Sequence, residues 1–159
     1  MRSLELKKLL ASLAVCFGAA AIGGAVTRPA VTGWYLTVRK PEFTPPNEVF
    51  GPVWSLLYLL MAVALYLVWC KREKEVHANQ ALLLFATQLV LNVCWSVVFF
   101  GFHSIAGGLA VIVLLWAAVA ETIRRFWRIS QAAALCLVPY LAWLSLAATL
   151  NYALWRLNP

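Results

Sequence analysis

Five long stretches of this chain carry almost no charge: 9–26, 50–69, 81–102, 105–123 and 132–155. A helix needs about 20 residues, within a range of about 17–25, to cross the hydrocarbon core of a bilayer, and the fourth stretch reaches that length only by taking in Glu121 to Ile123. Lipid offers the backbone no partner, so each stretch has to satisfy its own peptide groups as a helix. The expected fold class is therefore all-α, a polytopic membrane protein built as a single bundle of five transmembrane helices. Composition agrees: 64% of residues are hydrophobic and 12% charged, whereas a soluble domain is roughly 45–50% apolar and about 25% charged.

The first run has a second reading as a signal peptide, because Lys7 and Lys8 precede it and Leu13-Ala14-Val15-Cys16 loosely resembles a lipoprotein cleavage site. Val15 is too bulky for that role and the run continues well past Cys16, which favours a retained helix. The 13 Lys and Arg residues outnumber 6 acidic ones, but they sit in short clusters between apolar runs. That is the placement of topology determinants rather than of a nucleic-acid surface. One side carries Arg2, Lys7, Lys8, Lys71, Arg72, Lys74, Arg124, Arg125 and Arg128, the other only Arg28, Arg39, Lys40 and Arg156. The positive-inside bias predicts a cytoplasmic N-terminus and an external C-terminus.

The longest connection, 27–49, falls on the external side and carries Gly33, Trp34, Tyr35, Pro41, Phe43, Pro45 and Pro46. A loop of that length rich in aromatics is expected to fold over something, as a lid. Thr44 before Pro45 and Pro46 suits a capped start to the second helix. Pro52 and Pro139 lie inside apolar runs, where each removes a donor from the carbonyl four residues back, of Glu48 and Leu135, and is expected to splay its helix around a cavity.

Polar groups within the spans are informative because lipid cannot solvate them. Gln88, Asn92, Trp95 and Phe99 recur at spacings of one helical turn and form one inward face. Pro139, Trp143, Ala147 and Leu150 or Asn151 form a similar stripe on the fifth run, and Trp54 sits one turn into the second. These faces admit two readings, the lining of a pocket beneath the lid or interhelical packing with Asn bonded to a neighbouring helix. Glu121, with Arg124 and Arg125 three and four residues on, reads as a local ion pair rather than a proton-coupling carboxylate. Cys16, Cys70, Cys94 and Cys136 lie one to a run and His77 and His103 in or near loops, so no metal centre or nucleophile is expected. Small residues at Gly18, Ala19, Gly23 and Gly24, and at Ala106, Gly107 and Ala110, permit close helix approach within one subunit or between two.

Trp34-Tyr35, Lys40-Pro41-x-x-Thr44-Pro45-Pro46 and Phe50-Gly51-Pro52-Val53-Trp54-x-x-x-Tyr58 resemble the first loop and second helix of TspO proteins, the bacterial and mitochondrial translocator family once called peripheral benzodiazepine receptors. Gln88-Leu89-x-Leu91-Asn92-x-x-Trp95 with Phe99-Phe100-Gly101 resembles the family's third helix, and Pro139-Tyr140-Leu141-Ala142-Trp143-Leu144 with Ala147-x-Thr149-Leu150-Asn151-Tyr152 its fifth. The resemblance implies a receptor or sensor for porphyrin, haem, and sterol- or benzodiazepine-like apolar ligands, with no required cofactor, working in the bilayer as a homodimer. It places Tyr35, Trp54, Asn92, Trp95, Trp143, Ala147 and Leu150 in the ligand pocket, to which the spacing adds Phe99. Leu150-x-Tyr152-x-x-x-Arg156 fits the weak sterol-contact pattern of eukaryotic members. Alternative activities implied by the family are light-dependent porphyrin degradation, with Trp54 and Trp143 as the redox-active groups, and transport. The sequence departs from the family at Phe43, where Trp is usual, and at Glu42, where a small residue is common.

Overall fold

A computed structural model describes the backbone of residues 2–73 and 75–159 and the side chains of 4–73 and 75–159. The Arg2 side chain and Lys74, both counted among the basic residues above, lie outside the described residues. The chain forms α1 (Arg2–Thr32), α2 (Trp34–Thr37), α3 (Asn47–Cys70), α4 (Ala78–Ser96) continuing into a π turn (Val97–Gly101), α5 (Ile105–Ile129) and α6 (Gln131–Leu157), with no strand among the described residues. Every element except the four-residue α2 is long and apolar enough to span a bilayer, which makes five spans.

Helix ends run past the uncharged stretches because an apolar run marks the hydrocarbon, not the limit of hydrogen bonding. α1 continues through Arg28 and Pro29 to Thr32 and stops at Gly33, whose ψ of −100° breaks the helical path. α5 continues through Arg124 and Arg125 to Ile129, where Lys71 Nζ donates to the Ile129 carbonyl at 2.8 Å and ties the ends of α3 and α5 together. Thr44 does not cap α3. Its hydroxyl donates to the Pro41 carbonyl at 2.7 Å, and Pro46 occupies the N-cap position, leaving the first turn without a side-chain cap. Pro52 and Pro139 lie within continuous helices. Ser104 and Ser130 do cap: each hydroxyl accepts from the amide three residues on, starting α5 and α6.

The five spans close a ring. α1 packs on α3, α3 on α6, α6 on α5, α5 on α4 and α4 on α1. The buried core of Met61, Ala62, Phe85, Ile112, Leu115, Leu137, Tyr140 and Leu144 fills its interior. Glycines set how closely the ring closes. Gly23 of α1 faces Ser96, and Gly107 and Gly108 of α5 face Val98 and Phe99, whereas nothing lies near Gly18 and Gly24. Gly107, Gly108 and Gly23 are thus used within the subunit, while Ala106, Ala110, Gly18 and Gly24 are exposed. A Cβ on Gly108 would stand 2.6 Å from a Phe99 ring carbon and 3.1 Å from Asn151 Oδ1. Gly108→Ala should destabilise the fold by about 1–3 kcal/mol, the usual cost of overpacking, read as a lowered thermal midpoint in detergent.

Candidate ligand site between the helices

Asn92 occupies the middle of the ring and is 1% exposed. Tyr58 of α3 donates its hydroxyl to Asn92 Oδ1 at 2.6 Å, and Asn92 Nδ2 donates to the Tyr140 hydroxyl of α6 at 2.6 Å. One carboxamide therefore joins three helices. Around it the aromatic rings meet edge to face or tilted. Trp54 contacts Tyr58 at 5.8 Å and Tyr140 at 6.1 Å between centroids, and Phe50 meets Trp143 at 5.6 Å. Tyr58 and Tyr140 belong to this candidate site by their contacts with Asn92 and Trp54, and residue spacing did not single them out. Both could have been found as phenols in mid-span, which need partners in lipid.

A second aromatic set lies beneath the lid. Tyr35 and Val38 are buried against Phe99 and Leu154. The π turn brings the neighbouring rings of Phe99 and Phe100 both against Tyr35, at 6.3 and 5.8 Å. A wide turn at a helix end is a common way to re-aim side chains at a functional site. Trp95 stacks on Phe99 at 5.5 Å and donates its indole N–H to Asn151 Oδ1 at 3.3 Å, while Asn151 Nδ2 donates to the Ile105 carbonyl at 2.8 Å. Trp34 stacks on His103 at 4.6 Å, and the positive φ of His103, 54°, turns the chain there. Lys40 Nζ lies 4.4 Å over the Tyr35 ring. Burial pushes the Tyr35 phenol above its ordinary pKa, so the ring beneath that ammonium is a neutral phenol.

Of the residues expected to line a pocket, Asn92, Trp54 and Trp143 belong to the first set and Tyr35, Trp95 and Phe99 to the second. Ala147 is partly buried against the main core and Leu150 is buried. Tyr152 and Arg156 point outward, so they share no face with Leu150. Phe43 and Glu42 are exposed on the lid. Glu121 accepts from Arg124 and Arg125 at 2.6 and 2.8 Å, at the end of the bundle away from the lid. Two of the clefts formed by the described residues open to the outside. One, of about 750 Å³, runs along the outer face of α1 past Gly24 and Arg28, and the other, of about 430 Å³, lies between Pro29, Trp34, Phe100 and His103. Neither is lined by Trp54, Asn92 or Trp143.

Residues 12–156 match the model of the TspO/MBR family. The chain belongs to the TspO/MBR family. It is 41% identical over 158 residues to the tryptophan-rich protein TspO of Chlorobaculum tepidum, covering 97% of this chain and 100% of that protein. It is 39% identical to the tryptophan-rich sensory protein of Cereibacter sphaeroides, across 94% of this chain and 90% of the relative. The human translocator protein is 40% identical over 128 residues, 79% of this chain and 75% of its own. Membership of the TspO/MBR family and five apolar helices make this an integral multi-pass membrane protein, and the family supports a membrane sensor or receptor role.

The bonds at Asn92 set up a coupling test. Asn92→Leu should cost about 1–2 kcal/mol of stability, at the upper end of interhelical hydrogen bonds measured in membranes. Tyr58→Phe should cost less by itself and almost nothing in the Asn92→Leu background, because the two changes remove a shared bond. A double-mutant cycle on unfolding measures this, and additive losses would contradict the bond.

Proposed function

We propose that this TspO/MBR family member is a membrane receptor that binds flat apolar ligands, tetrapyrroles such as protoporphyrin or haem foremost and sterol-like molecules second, among α3, α4 and α6 beneath the lid. The observation that carries the reading is the Trp143 indole. Its Nε1 atom is buried and meets no acceptor, although the neighbouring Asn92, Tyr58 and Tyr140 bond to one another. A buried donor without a partner is costly, and a ligand oxygen or ring nitrogen placed against Trp143 would remove that cost. The surrounding Phe50, Trp54 and Tyr140 rings offer stacking surface without charge, which suits a planar apolar molecule better than an ion. These rings are packed on one another, so binding requires them to part, and the lid is the element nearest to yield.

Replacing Trp143 with Phe keeps most of the apolar volume but removes the indole N–H and part of a flat surface. An aromatic contact contributes about 0.5–1.5 kcal/mol beyond burial, so protoporphyrin affinity should fall roughly two- to tenfold. Quenching of tryptophan fluorescence provides the titration. Unchanged affinity with the fold intact would place the ligand elsewhere.

The basic residues among those described favour the end away from the lid, which under the positive-inside bias puts that end in the cytoplasm and the lid outside. A reporter fused at Met1 should read cytoplasmic and one at Pro159 external, and the reverse pattern would mean that ligands approach from the cytoplasm.

A further inference from the structure

We propose that Asn158 is the positioning residue that holds the lid down and so sets how fast ligands exchange; as a statement about ligands it rests on the receptor reading above. Its side chain grips one residue of the lid by the backbone. Asn158 Oδ1 accepts from the Arg39 amide at 3.0 Å, and Asn158 Nδ2 donates to the Arg39 carbonyl at 3.0 Å. The same Nδ2 donates to the Leu154 carbonyl at 2.8 Å, which fixes the side chain against the last turn of α6. A carboxamide is suited to this because it presents a donor and an acceptor side by side, as a strand edge does.

The position of the clasp gives it leverage. Before Arg39 the lid is docked by apolar contact, with Tyr35 and Val38 buried against Phe99 and Leu154. After Arg39 the strap runs through the exposed Glu42 and Phe43 to α3, where Phe50 and Trp54 begin the aromatic site. The clasp therefore stands where the docked part of the lid ends, and it ties the strap to α6, the helix that carries Trp143. Both bonds are exposed, so water competes for them and they open readily. That is what a gate needs: the apolar contacts keep the lid in register while the two polar bonds set its opening rate. Arg39 contributes only its peptide group to the clasp, and its side chain is exposed.

The test combines hydrogen exchange with ligand kinetics in the full-length protein in nanodiscs. In Asn158→Ala the Arg39 amide should exchange roughly tenfold faster, the factor expected for two bonds of modest net strength. Stopped-flow quenching by protoporphyrin IX should show both the association and dissociation rate constants rising together, with Kd within about twofold of wild type, since a gate speeds both directions equally. Amides within α6 should keep their protection, because their backbone bonds are untouched. Arg39→Ala keeps the peptide group that Asn158 grips and should leave hydrogen exchange at position 39 close to wild type. Unchanged exchange at Arg39 in Asn158→Ala overturns the clasp, and faster exchange with unchanged rate constants overturns its role as a gate. Should the wild-type protein show no quenching by protoporphyrin IX, the receptor reading fails, while the exchange comparison still decides the clasp.

Discussion

Lipid offers a polar group no hydrogen bond, and in this molecule the bonds that cross between helices rest most heavily on two asparagines. Asn92 on α4 joins α3 and α6 through Tyr58 and Tyr140, and Asn151 on α6 joins α4 and α5 through Trp95 and the Ile105 carbonyl. Each bond crosses between helices, so together they fix the rotation of four of the five spans about their own axes. α1 is held differently, by close approach: Gly23 lies against Ser96 and Cys16 is fully buried. The absence of a hydrophobic drive between helices in lipid explains the division of labour, since packing and hydrogen bonds are what remain.

The lid is coupled to this interior through Trp95. Its ring stacks on Phe99, which packs against Tyr35 and Trp34 of the lid, while its N–H is held by Asn151 within the bundle. Displacing the lid would remove neighbours from Phe99 and leave Trp95 less supported on that side. Lid position and the aromatic interior are therefore two aspects of one packing arrangement, and Gly108, pressed against both Phe99 and Asn151, stands where they meet.

The spans were legible in the sequence because hydrocarbon thickness and the cost of charge act on every residue of a run. The inward face of α4 was legible for the same reason: Gln88, Asn92 and Phe99 are buried and Trp95 is half-buried, as one helical turn per three or four residues requires. What stayed hidden were partners. Tyr58 and Tyr140 lie 34 and 48 residues from Asn92, and a phenol amid leucines reads as one more apolar residue until its hydroxyl is asked for an acceptor. The Asn158 clasp left no trace, because its partner is a peptide group that any residue could supply. The pattern joining Leu150, Tyr152 and Arg156 ignores helical rotation: two residues turn a helix by about 200°, so Leu150 goes inward and Tyr152 outward.

The buried polar residues among those described are Ser12, Gln88, Asn92, Ser96, Thr122, Ser130 and Asn151, all of them uncharged. An interior with neutral polar groups selects by shape and dispersion, and would admit the ring of a tetrapyrrole while refusing its carboxylates, whose burial without a counter-charge is prohibitive. Positive charge is instead found around the lid, at Arg28, Arg39 and Lys40, with the opposing charge of Glu42 on the strap itself. Under the receptor reading this fixes an orientation: the apolar edge of the ring faces Trp143 and the acidic edge stays at the mouth. Glu42 then lies on the route that the carboxylates would take, and it weakens their attraction to the neighbouring basic residues. Under the same reading Glu42 lowers, without cancelling, the advantage that Arg28, Arg39 and Lys40 give to acidic ligands over neutral ones.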